Sequence, residues 1–206
     1  MIGGTSSDYW KLGFSQHTAV LNLAATFVAT YYAASIIQMV SHRLFGHVDR
    51  IGPVFESHAL GHHGVYPSDK LLLDHWVPAE KHVMWYFVPL FAPMVFAVYA
   101  IAPFVVFVAH AFGIAFAVWW HVFLHQQYHL RASFFERFRW FQRKRNLHFV
   151  HHRCVHRNYA IVEFWLDHLL GTLEKPNPTS HPDAREPRRQ LILLPARAGG
   201  RERWAA

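Results

Sequence analysis

Uncharged apolar sequence is concentrated in two blocks of the chain. Thr18 to Val40 holds no Asp, Glu, Lys or Arg over about 23 residues, long enough for one helix to cross a bilayer core with some tilt. Val83 to Trp120 is equally free of them over about 38 residues. At ~1.5 Å per residue, a single helix of that length would reach nearly twice the hydrocarbon thickness. The pattern therefore predicts a hairpin of two spans, at about 83–100 and 103–122, turning near Ala100 to Pro103. Pro103 suits the first turn of the second helix, where its missing N–H costs little. Pro89 and Pro93 should kink the first arm. With a first span at about 18–40, the fold expected is all-α: an integral membrane helical bundle with a histidine-rich helical cap. Buried helices of a soluble protein are the alternative reading.

Around these blocks the polar positions are dominated by histidine. In order they read His42-x4-His47, His58-x3-His62-His63, His121-x3-His125 and His148-x2-His151-His152. Steps of three and four place side chains on one helix face. Neutral imidazole is the commonest nitrogen ligand for a transition metal. Ten imidazoles exceed what one ion takes, so the arithmetic points to two metals. Burying so many polar rings without partners would cost several kcal/mol, and metal binding supplies the partners. His110, mid-span and outside any box, reads as a core histidine, and His17, His75 and His181 are read the same way.

The first span delivers His42 and His47 at its exit, and the hairpin then crosses twice, so all four boxes can meet at one membrane face. Eight Lys or Arg against the single acid Glu136 between Arg131 and Arg157 make that face cytoplasmic by the positive-inside rule. Residues 1–16 form a polar N-terminal segment in which no signal peptide is apparent, and 17–175 the membrane-embedded domain. Residues 176–206, rich in Pro, Arg and small side chains, read as a basic, disordered tail near the lipid headgroups.

Composition narrows the classes further. The 206 residues are 52% hydrophobic and only 16% charged, which suits one small membrane protein. The single cysteine, Cys154, excludes an internal disulfide and a thiolate iron–sulfur cluster. A net charge of +7 fits an anionic lipid surface better than nucleic acid, given the apolar spans. No His-Glu-x-x-His occurs, which removes the zincins, and no acid lies inside a box, which removes the Glu-rich soluble di-iron bundles. A bis-His haem carrier does not need adjacent doublets such as His62-His63. A metal transporter would place its ligands at mid-membrane rather than at the span ends.

The four boxes, with His42-Arg43 opening the first and Asn158-Tyr159-Ala160, Trp165-Leu166-Asp167 and Leu170-Gly171-Thr172 following the last, resemble the fatty acid hydroxylase/sterol desaturase superfamily of integral-membrane di-iron oxygenases. The resemblance covers roughly Ser41 to Pro176. It departs from the family pattern in the Leu166 that splits Trp165 from Asp167, in Ala160 where glycine is usual, and in the single span ahead of the first box, which leaves a minimal core or one assembled as a homo-oligomer. It implies that His42, His47, His58, His62, His63, His121, His125, His148, His151 and His152 hold two iron ions. His129, His156, Asp167 and His168 are candidates for outer positions that orient the ligands. It further implies O2 as co-substrate, an aliphatic lipid such as a fatty acyl chain or sterol as substrate, and hydroxylation or desaturation as the reaction. Electrons would come from a separate cytochrome b5- or ferredoxin-like donor, for which the basic stretch Arg137 to Arg145 is a candidate docking surface. Carotenoid hydroxylation by the same chemistry, and a non-enzymatic membrane haem- or metal-binding protein, are the alternatives.

Overall fold

The computed structural model describes residues 6–47, 52–78 and 83–177. Among them the chain is all-helical, with no strand and one isolated bridge between Leu73 and Leu130. The long helices are α1 (Ser6–Ser41), α4 (Val83–Ile101) and α5 (Phe104–Tyr128); shorter ones are α2 (Gly52–Phe55), α3 (His63–Val65), α6 (Arg139–Arg153) and α7 (Trp165–Leu169). Residues 6–16, ahead of the first apolar block, continue the same helix. Two helical stretches, His17–Gly46 and Phe104–Tyr128, are long and apolar enough to cross a membrane, and Phe87–Ile101 is a shorter apolar helix. The basic tail expected from 176 onward lies, beyond Asn177, outside the described residues, as does His181.

α5 is the central helix of the bundle, packed against α1 on one side and α4 on the other. Small residues set the first contact: a Cβ at Gly113 would stand 3.0 Å from Thr30 Cβ and 3.2 Å from Phe27 O, so only glycine allows this approach. One turn earlier, Thr30 Oγ1 and His110 Nδ1 are hydrogen-bonded at 2.8 Å within the buried seam. Ala34 of α1, Phe91 of α4, and Ile114 and Ala117 of α5 form one core cluster. Thr30 pairs with His110 and Gly113, and Ala34 with Ala117. α1 and α5 therefore run parallel and finish at the same end, as the two-crossing hairpin requires. The turn falls where expected, with Pro103 capping α5 from just outside its first residue (φ −55°, ψ 143°) rather than inside it. α4 runs as one helix through both Pro89 and Pro93. Its outward side chains stay apolar: Phe96 and Ile101 are 71% and 85% exposed, as is Phe104 at the turn at 74%.

The polar end is a cap built from α2, α3, α6, α7 and their loops. Its cores are small: Met39, Tyr159, Ala160, Phe164 and Leu166 in one, Leu124, Tyr128, Phe141, Ile161 and Val162 in another. Arg145, buried on α6, pairs with Glu136, and the Lys144 ammonium donates to Val162 O at 2.5 Å. Of the basic run 137–145, Arg137, Arg139 and Arg143 remain exposed.

Candidate metal centre

At the common end of α1 and α5 the structure gathers ten histidines into two groups of five. His42, His47, His58, His63 and His151 form the first; His62, His125, His129, His148 and His152 form the second. Within each, one ring nitrogen per residue lies within 4.8 Å of all the others. The groups share a wall, where His63 of the first stacks on His152 of the second with centroids 4.3 Å apart.

Backbone geometry explains how these spacings work. The first box has a step of five, and five residues at about 100° each leave two side chains roughly 140° apart around an α-helix. Here His42–Gly46 is a π-helical turn, whose i→i+5 bonding brings His42 and His47 to one side. A second π-helical stretch, Glu56–His62, does the same for His58 and His63, and turns His62 between them toward the other group. α6 then serves both groups: His148 and His152, four apart, join the second, and His151 joins the first. Gly46 is needed where the rings crowd, because a Cβ there would be 3.1 Å from both His42 Cδ2 and His58 Cδ2.

Backbone carbonyls of two loops fix the rings. His42 Nδ1 donates to Tyr159 O (2.5 Å) and His151 Nδ1 to Arg157 O (2.8 Å). In the second group, His152 Nδ1 donates to Tyr66 O (2.8 Å) and His129 Nδ1 to Leu71 O (2.9 Å). A carbonyl only accepts, so each of these rings carries its proton on Nδ1 and turns the Nε2 lone pair inward. The inward nitrogens lie close: His42–His58 at 2.7 Å, His47–His151 at 3.0 Å, His62–His152 at 3.1 Å, and His129–His148 and His152–His148 at 3.0 Å each. Adjacent donors about 2.0–2.1 Å from one ion stand roughly 3 Å apart, so these spacings suit a shared cation. Burial pushes His47, His62, His63, His148, His151 and His152 below the usual imidazole range, and neighbouring rings push the same way. The neutral form that results is the one that ligates. Donor type, orientation and protonation all fit metal ions, and both groups could hold one.

The supporting loops are themselves braced. The fully buried Asp167 carboxylate accepts from Tyr159 N (2.8 Å), Ala160 N (2.9 Å) and Thr172 Oγ1 (2.7 Å). Asn158, at φ +51°, donates to Leu147 O and Glu174 O and accepts from Glu174 N. On the other side, Leu73 bridges the end of α5 through His129 O and Arg131 N, and Tyr66 stacks on the His129 ring at 3.9 Å.

The third box sits differently from expectation: the pair that joins a group is His125-x3-His129, and His121 stands outside both. His129, expected only as an outer residue, occupies an inner place because it is at the end of α5, beside the cap, whereas His121 lies a turn deeper. Asp167 takes an outer position, its carboxylate holding the loop whose carbonyl orients His42, whereas His168 is exposed. His156 is exposed and outside both groups. Sequence reasoning missed the Tyr66–Leu73 loop altogether, since a backbone carbonyl has no side-chain signature.

A cavity of about 390 Å³ opens beside the rings, bordered by His42 and His58 of the first group and His125 of the second. Phe45, Phe87, Leu90, Phe91, Val118 and Val122 make the rest of it largely apolar. No family model, curated protein or solved structure matches the chain, so the functional argument rests on this geometry.

Proposed function

We propose that the chain is a membrane-bound oxygenase of the fatty acid hydroxylase and sterol desaturase kind, which hydroxylates or desaturates an aliphatic lipid using O2 and electrons from a separate carrier. The observation that supports it best is the junction of two five-imidazole groups with one apolar cavity at the end of long apolar helices. In this reading His42, His47, His58, His63 and His151 hold one iron, and His62, His125, His129, His148 and His152 the other. When bound, the irons supply the O2-activating chemistry that oxidises an unactivated C–H bond. The chain does the rest. Loop carbonyls hold donor nitrogens in orientation, buried aromatic and aliphatic side chains keep water from the rings, and the cavity seats an alkyl segment against both groups.

The helices His17–Gly46 and Phe104–Tyr128 cross the bilayer in this reading, with Phe87–Ile101 completing the hairpin. The exposed Arg137, Arg139 and Arg143 support a cytoplasmic histidine end in this reading, and would suit an acidic electron carrier. A haem carrier is disfavoured by the crowding of the rings, since five first-group rings with centroids 4.3–6.3 Å apart leave no slot for a flat macrocycle. The test combines metal analysis of the purified protein with lipid profiling of expressing and null cells under 18O2. Two ions per chain are expected, with either an 18O-labelled hydroxylipid or an unlabelled product two mass units lighter. Absence of bound metal, or no altered lipid with iron and a donor present, refutes the proposal.

A further inference from the structure

The aromatic rings on the outer side of α5 do not stop where the helix ends. Trp119, 54% exposed, stacks on Phe123 with centroids 5.4 Å apart, and Phe123 meets Phe135 of the cap edge-on at 5.8 Å. From Phe135 the contacts continue to Phe134 at 5.6 Å and to Trp140 at 5.9 Å. Phe134 and Trp140 are 63% and 40% exposed, although both belong to the polar end of the molecule. A contiguous exposed apolar patch rimmed by polar groups marks a contact surface, whereas apolar side chains exposed singly need no explanation. Across the cap the same continuity recurs, where Trp165 of α7, 45% exposed, packs on Tyr32 of α1 at 5.9 Å.

Cations are set among the rings of the first patch. The Arg137 guanidinium lies 3.8 Å from the Phe134 ring centroid and 4.9 Å from that of Phe138. Arg139 and Arg143, four residues apart, flank Trp140 on the outer face of α6. All three arginines are exposed, and none has a carboxylate within ion-pair reach among the described residues. Lys144 and Arg145 of the same helix turn inward instead, onto Val162 O and Glu136. Glu136 is thereby already paired, and the charge this patch turns outward is positive.

Rings and arginines together select the occupant. Aromatic side chains favour the headgroup level of a bilayer, and a guanidinium pairs with phosphate oxygens two at a time. An acidic carrier would match the charge alone, and would leave the rings in water whenever it dissociated. Continuity with the outer side of α5 places them instead at the depth where that helix leaves the bilayer. We propose that residues 134–143 are a docking surface for the headgroups of anionic lipids, which lays this edge of the cap on the leaflet at the histidine end. The inference rests on the bilayer crossing in the reading above and not on its oxygen chemistry.

The test uses the full chain in lipid nanodiscs and two probes, phosphatidylglycerol and phosphatidylcholine, each with a diazirine on the acyl chain next to the glycerol. Labelled peptides are quantified by mass spectrometry, and the uncharged turn from Ile101 to Phe104 serves as internal reference. The phosphatidylglycerol-to-phosphatidylcholine labelling ratio at 134–143 should exceed that at the turn at least about tenfold, since each arginine at an anionic surface contributes about fivefold. Arg139→Gln combined with Arg143→Gln should lower the ratio about fivefold or more. Phe134→Ser should reduce labelling by both lipids and leave their ratio unchanged. The substituted side chains are exposed, so the variants should keep the native circular dichroism spectrum. A native ratio equal to that at the turn, or one indifferent to the double arginine change, overturns the proposal. Equal ratios together with protection of 134–143 from hydrogen exchange by an acidic ferredoxin also overturn it, and assign the surface to a protein carrier. Release of the chain from membranes by alkaline carbonate refutes the bilayer crossing and this inference together, whereas retention with equal ratios refutes this inference alone.

Discussion

Gly46→Ala sets two effects of opposite sign against each other. Gly46 lies in a π-helical turn and is not among the glycines with positive φ, so its backbone accepts alanine. On helix propensity alone the change would stabilise by about 0.8–1.0 kcal/mol. The new methyl, however, would stand 3.1 Å from His42 Cδ2 and from His58 Cδ2. Carbon atoms settle at about 3.5–4.0 Å, so each ring must retreat by roughly 0.4 Å or more. His42 has little room to do so, being held by Tyr159 O at 2.5 Å on one side and facing His58 Nε2 at 2.7 Å on the other. Overpacking of this kind costs about 1–3 kcal/mol, which leaves the net stability change below about 2 kcal/mol. The damage should instead be local, because donor geometry tolerates only about 0.5 Å of error. The first site should lose about 10–100-fold in metal affinity while the second keeps its own. Competition with a chelator of graded strength, followed by metal analysis, resolves the two sites. Two ions retained with unchanged affinity would refute the argument that Gly46 makes room for the rings.

Three further outcomes follow from the same geometry. Asp167→Asn replaces an acceptor facing three donors with a group that must point N–H at one of them, which should cost about 1.5–3 kcal/mol in a denaturation experiment and weaken the first metal site through Tyr159; an unchanged midpoint would contradict the bracing role. His129→Ala should lower metal content toward one ion per chain, and full retention would restore the register with His121 as ligand. The metal-free protein should lose stability as pH falls below about 6.5, because the unfolded chain takes up protons that the buried rings, their basicity lowered by burial, refuse. Each such ring adds up to about 1.4 kcal/mol per pH unit to that slope, and denaturation midpoints equal at pH 7.5 and 5.5 would show the rings to be solvated.

How far the sequence carried can be judged at particular residues. The apolar blocks located α1, α4 and α5 because lack of charge over a span length is a long-range signal that no single residue can obscure. Nine of the ten grouped histidines were also visible as paired rings. The third box was misread because His121, His125 and His129 form an unbroken i, i+4, i+8 array. Such an array contains two equally good pairs, and only the end of α5 decides between them. The π-helical turns were invisible for a related reason: a step of five looks like an irregular box until the backbone is seen to widen under it. Most of what orients the rings is carried by carbonyls at Tyr66, Leu71, Arg157 and Tyr159, whose side chains say nothing of the role. Asn158 and Asp167 were the only legible trace of that layer, and even there the direction of Asp167's bonds required the folded loop.

The sharing of α6 between both groups has a consequence for biogenesis. The first group draws on residues 42 to 151 and the second on 62 to 152, so the first is complete only once His151 has been added and the second only once His152 has. α1 and the α4–α5 hairpin precede α6 in the chain, and the Thr30–Gly113 seam joins α1 to α5 without it. Arrival of one helix then closes both sites within a single turn. Completion of the two groups is thereby a late, paired event, and a chain truncated ahead of α6 would carry seven of the ten imidazoles with neither group finished.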